Sequence, residues 1–153
     1  MPLKSLIKFG IGHVTLNPAP IYTGWILEGN PVARNQLLSS SADGFANSYI
    51  WDCTAGRFNW FYKADETIYV IEGGVVVTDM TGVARRLSVG DTIFFPAGTR
   101  AEWNVEQYIR KFALIRTPVP RPLVYAKRVY SYLKRLMGSR GRKDPVPEMM
   151  QGG

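Results

Sequence analysis

From Asn47 onward, apolar and polar positions trade places over short distances. Segments at 47–53, 57–62, 66–72, 74–79, 91–95, 100–105 and 109–116 are rich in β-branched and aromatic residues. Turn-forming residues separate several of them: Gly73-Gly74, Asp79-Met80-Thr81-Gly82, Gly90-Asp91 and Pro96-Ala97-Gly98. Short strands at regular spacing, joined by tight turns, predict an all-β sandwich or barrel. Upstream, Gly24, Gly29-Asn30-Pro31 and the Ser39 to Gly44 stretch mark turns around shorter strands in residues 21–46. The first 20 residues end in Asn17-Pro18-Ala19-Pro20 and read as an extended arm. The 66–72 segment is apolar on both faces, with Ile68 and Val70 on one and Tyr69 and Ile71 on the other. A strand of that kind in a small β domain is expected to be covered twice, by its own core and by a second copy, which predicts a homodimer.

After Pro118-Val119-Pro120-Arg121-Pro122 the period changes. Tyr125, Val129, Tyr132, Leu133 and Leu136 recur at helical spacing, while Lys127, Arg128, Lys134 and Arg135 fall on the opposite face. Gly138 and Gly141 end this helix, and Arg142 to Gly153, with Pro145 and Pro147, reads as loose. The chain thus divides into an arm (1–20), a β domain (21–117), a Pro-rich linker with a basic amphipathic helix (118–143) and a tail (144–153).

Charge sharpens this division. The formal net charge is +7, yet residues 1–117 hold 11 Lys/Arg against 10 Asp/Glu, and residues 118–153 hold 8 against 2. A near-neutral body with a basic appendage argues against a domain that grips nucleic acid with its main face. It suits a basic helix that meets an anionic membrane or an acidic protein, or one that docks on its own domain with its charges solvated. With 153 residues, 46% of them hydrophobic, the chain has material for one core. No window approaches the roughly 18 apolar residues of a membrane span. Lys4 and Lys8 interrupt the apolar start, so no secretory core forms. The single cysteine, Cys53, excludes an internal disulfide and fits a reducing compartment, which places the chain in the cytoplasm or at the periphery of a membrane. The single histidine, His13, lies in the arm. It is expected to be solvated, and its position removes nearly all imidazole-based chemistry from the β domain.

The glycines, proline and acidic residue of the β domain resemble the cupin motifs. The first motif corresponds to Gly56-x3-Trp60-x-Tyr62-x3-Glu66-x6-Gly73, and the second to Gly90-x5-Pro96-x-Gly98. Ala101 stands at the second motif's histidine position and Val105 at its asparagine position. The wording around Trp51-x-Cys53, Asp65-Glu66, Trp103-x-Val105 and Arg110-Lys111 is similar to a branch that includes ethanolamine-utilisation and ureidoglycine-aminohydrolase cupin domains. The resemblance implies a single cupin jelly roll over about residues 45–116, followed here by the basic helix.

It also implies where a metal would sit, on three histidines and one glutamate. Position by position, the chain offers Trp60, Tyr62, Glu66 and Ala101, of which only Glu66 is an ordinary ligand. A divalent ion needs several N, O or S donors, so no metal site and no cofactor are expected. In its place Phe58, Trp60 and Tyr62 share strand parity, and Trp103 is in phase with Ala101. These residues with Glu66 form either an aromatic pocket for a small organic ligand, such as one with a cationic group, or simply a filled barrel. Glu66 is the candidate general acid or base; a pairing with Lys111 or Arg110 across the sheet is the structural alternative. Cys53 lacks a neighbouring base and reads as a buried, inert thiol. Three functions follow: a metal-independent binding or accessory cupin, an aminohydrolase- or lyase-like enzyme using Glu66, or an interaction subunit recruited through Lys127, Arg128, Lys134 and Arg135.

Overall fold

The computed structural model describes residues 5–138. These residues form eight strands: β1 (Asn17–Pro18), β2 (Ile26–Gly29), β3 (Ala33–Ser40), β4 (Ala46–Phe61), β5 (Asp65–Thr78), β6 (Ala84–Ser88), β7 (Thr92–Phe95) and β8 (Arg100–Arg116). All pairings are antiparallel, in the order β1-β3-β4-β8-β5-β6, with β2 on β4 and β7 on β5.

Three strands are much longer than the sequence segments suggest. Segments 47–53 and 57–62 fall in and beside β4, 66–72 and 74–79 run together as β5, and 100–105 and 109–116 as β8. Each long strand is broken by irregular register: between Thr54 and Gly56 on β4, and between Val70 and Glu72 and again Gly73 and Val76 on β5. Such bulges bend a strand and increase its twist, so the halves of β4, β5 and β8 contribute to two layers. One layer joins β3, β7 and the β4 residues before the break; the other joins β2, β6 and those after it. Side chains from both layers meet in one core that includes Trp51, Phe58, Ile68, Val70, Val75, Trp103 and Ile109. This is the jelly-roll architecture.

Gly73-Gly74 is therefore not a turn but a bend within β5. Gly73 has φ +69°, and a Cβ there would overlap the carbonyl oxygen of Tyr108 on β8. The hairpin turn lies at Asp79–Gly82, where Asp79 Oδ1 accepts from the amides of Thr81 and Val83. β6, absent from the expected segments, carries only one buried residue, Leu87, and exposes Arg85 and Arg86. It lacks the apolar run that reveals a strand in sequence because it is an edge. On β5, Ile68 and Val70 face the core, and Tyr69 on the outer face is 48% exposed.

The arm contributes β1, whose Asn17 and Pro18 pair with Asn35 and Arg34 of β3. On the outer face, Asp52 is 1% exposed and accepts from Arg34 Nε at 3.0 Å and Tyr108 Oη at 2.9 Å. Arg110 donates to the carbonyl of Ile11 at 2.8 Å. Residues from Val119 onward form a separate unit, described by its own helix, α1 (Arg121–Gly138). Gly138 ends the described helix; Gly141 and the tail at 144–153 lie outside the described residues.

Candidate functional site

Alternation along three adjacent strands builds the site. On β8, Ile109, Lys111, Ala113 and Ile115 share one parity, and on β4 so do Tyr49 and Trp51. Trp51 lies opposite Lys111 in register. This places a lysine on an inward position between the buried Ile109 and Ala113. An ammonium group at such a position requires a partner, because an isolated buried charge is strongly disfavoured. Glu66, near the start of β5, supplies it: Lys111 Nζ donates to Glu66 Oε1 at 2.6 Å, with the side chains 5% and 7% exposed. The same Nζ lies 4.9 Å from the ring centroid of Trp51 and 4.7 Å from that of Trp103. Their π faces add attraction for the cation.

The pair borders a cavity of about 390 Å³, walled by Asn35, Tyr49, Trp51, Trp60, Ala113 and Ile115, with Ala19 and Pro20 of the arm at its edge. Trp60 is held by edge-to-face contacts with Trp51 at 6.0 Å and Trp25 at 5.7 Å. Of the six residues expected to form a pocket, Trp60 and Glu66 line this cavity. Phe58, Tyr62 and Trp103 instead stand in the packed core. There Phe58 stacks on Trp103 at 6.2 Å, Tyr62 stacks on Phe95 at 4.3 Å, and Trp103 Nε1 donates to Tyr62 Oη at 2.9 Å. Burial, reinforced by the nearby Glu66 charge, holds the Tyr62 phenol well above its ordinary pKa against the opposing hydrogen bond from Trp103. Ala101, opposite Trp60 in register, lines a different cavity with Phe95 and Val77.

The positions that hold a metal in cupins do not fit one here. Trp60 and Ala101 offer no donor, the Tyr62 oxygen receives the Trp103 N–H, and the single carboxylate, Glu66, is in contact with a cation. Among the described residues no three His, Cys, Asp or Glu side chains are grouped to bind an ion.

The sequence reading named Lys111 only as a structural partner of Glu66, and did not place Asn35, Tyr49 or Trp51 in the pocket. Parity held the signal for Lys111: a lone cation in phase with Ile109, Ala113 and Ile115 points inward. Cys53 is also buried, and burial, aided by the Asp52 carboxylate and opposed by Lys111, pushes its thiol up to about 12. At pH 8 almost no thiolate is present, so the folded chain is expected to resist a disulfide-exchange reagent that labels one thiol per chain after denaturation. Rapid labelling of the folded protein would refute the inert assignment.

Residues 40–113 match the EutQ-like cupin domain. No curated protein matches the chain. Among solved structures, a protein of unknown function from the DUF861 family of Pseudomonas syringae pv. tomato is similar at 26% identity and a TM-score of 0.63. That alignment covers 67% of this chain and 45% of the other, so the chain spans less than half of that protein's length. The ethanolamine utilization protein Q of Salmonella typhimurium is similar at 22% identity and a TM-score of 0.50, covering 56% of this chain and 69% of that one. A protein from Thermotoga maritima, described as a predicted oxalate decarboxylase, gives 14% identity and a TM-score of 0.59 over 73% of this chain and 100% of that one. At these last two identities the likeness is one of fold.

Proposed function

The chain is a small protein of the cupin superfamily, and from that premise we propose that it binds a small organic molecule in the cavity beside Lys111 and Glu66, without a metal ion. The observation that carries this reading is the buried ammonium of Lys111, fixed between Glu66 and the faces of Trp51 and Trp103 at the cavity wall. A protein cation thus stands beside Glu66, the one position of the implied cupin ligand set that keeps an ordinary donor. Its position is preorganised by Glu66 and the two indoles, so it can orient a polar group of a ligand without an ion to recruit. Trp51, Trp60 and Tyr49 supply apolar wall, and Asn35 a side-chain amide. A few polar groups in an otherwise apolar concavity, with a volume within the roughly 300–1,000 Å³ of small-molecule sites, are the usual composition of a binding pocket. Acid–base chemistry at Glu66 would have to use a carboxylate whose Oε1 already holds Lys111, and binding makes no such demand.

Native mass spectrometry of the gently purified protein tests the proposal. A co-purified small molecule, released on denaturation and lost in Trp60→Ala, is the expected result. Metal analysis of protein prepared without chelator is expected to find well under one Mn, Fe, Ni or Zn per chain. One metal per chain would overturn the metal-independent reading. The binding reading fails if no adduct appears and no panel of small carboxylates, amines and neutral compounds raises the melting temperature.

A further inference from the structure

We propose that α1 lies on anionic membrane surfaces, with its apolar half among the acyl chains and its basic half among the phosphate headgroups. At 100° per residue, every position from Tyr132 round through Leu136, Leu133 and Met137 to Leu123 is apolar, an arc of about 180°. The other half carries Lys127 and Lys134 at one border and Arg121, Arg128 and Arg135 at the other, with Ser131 and a single apolar residue, Val124, between them. The order within the apolar half is also graded. Leu136, Val129 and Leu133 occupy the middle, while Tyr125 and Tyr132 stand toward one border and Tyr130, with Leu123 just outside it, toward the other. Cations outermost, phenols next and aliphatic chains at the centre is the sequence of polarity met on passing from lipid headgroups into the hydrocarbon.

Charge decides the kind of surface. No Asp or Glu occurs from Pro118 to Lys143, against eight Lys/Arg. A helix whose polar face is merely solvated usually mixes signs, so that charges four residues apart attract; here such pairs are absent and the cations have no counter-charge on the helix. Arg121 moreover sits in the first turn, where the helix dipole favours an anion. A sheet of negative charge relieves both penalties. The helix does not cross the bilayer: among the described residues none is long and apolar enough.

The test is co-sedimentation of the full chain with vesicles of phosphatidylcholine alone and of phosphatidylcholine with about 30% phosphatidylglycerol. Binding is expected only to the anionic vesicles, weakening with added salt. The double variant Lys127→Glu/Lys134→Glu is expected to bind at least tenfold more weakly, at roughly fivefold per cation removed. Leu133→Glu is expected to abolish insertion while leaving the melting temperature of the β domain unchanged. The proposal is overturned by failure to bind phosphatidylglycerol vesicles. It is also overturned if Leu133→Glu binds as well as the parent, since that would be adhesion by charge alone. Binding to polyglutamate in place of vesicles would overturn it in favour of an acidic protein partner.

Discussion

Lys111→Met is expected to destabilise the fold by about 3–5 kcal/mol, the usual effect of removing one partner from a buried ion pair. The substitution fills nearly the same volume, so the loss does not come from a cavity. It comes from Glu66, 7% exposed, which is left beside its register partner Phe95 and the Tyr62 phenol without the ammonium that compensates its burial. The double variant Lys111→Met/Glu66→Leu separates this from a packing effect. With both charges gone and apolar groups in their place, most of the lost stability should return, because a buried pair and an apolar substitute of similar shape are often close in stability. Urea denaturation midpoints of the parent, both single variants and the double variant would measure the coupling. A Lys111→Met protein within about 1 kcal/mol of the parent would mean that the pair is hydrated or broken in solution.

Gly73→Ala is the second large effect, at roughly 2–6 kcal/mol. Two separate costs add: a Cβ at φ +69° is strained by about 1–3 kcal/mol, and its overlap with the Tyr108 carbonyl forces β5 and β8 apart at their bend, at a further 1–3 kcal/mol. Gly82→Ala is the control. It has a similar φ of +84° but open space around the added carbon, so it should show the backbone cost alone. Equal losses at the two positions would show that the close approach of β8 to β5 is not maintained.

These two sites also mark what could be read from the sequence. The jelly roll was legible because its glycines, Pro96 and Glu66 keep motif spacing and because buried positions alternate with more exposed ones through most of β5 and β8. Gly73-Gly74 was misread because local chemistry is the same for a turn and for a bulge; only the partner strand shows which is needed. The inward direction of Phe58, Trp60, Tyr62 and Trp103 followed from parity, but parity does not say which inward ring borders a void. That depends on what faces it from other strands. Phe95 of β7 stacks on Tyr62 and lies 5.9 Å from Trp103, whereas small Ala113 and the short arm leave space near Trp60. Contacts across layers have no signature within a single segment.

The arm has a kinetic consequence. Ala19 and Pro20 edge the cavity, and between the Arg110–Ile11 hydrogen bond upstream and the buried Ile21 downstream this stretch is fastened by the Asn17–Pro18 bridge to β3, the 2.9 Å Ala19–Ala33 backbone hydrogen bond and an Asn17–Gln36 side-chain hydrogen bond. A seam so short can detach locally at far less cost than unfolding the sheets. Exchange of the proposed guest would then follow the breathing of this seam, leaving its residence time adjustable at Asn17 and Gln36 without altering the residues that wall the cavity.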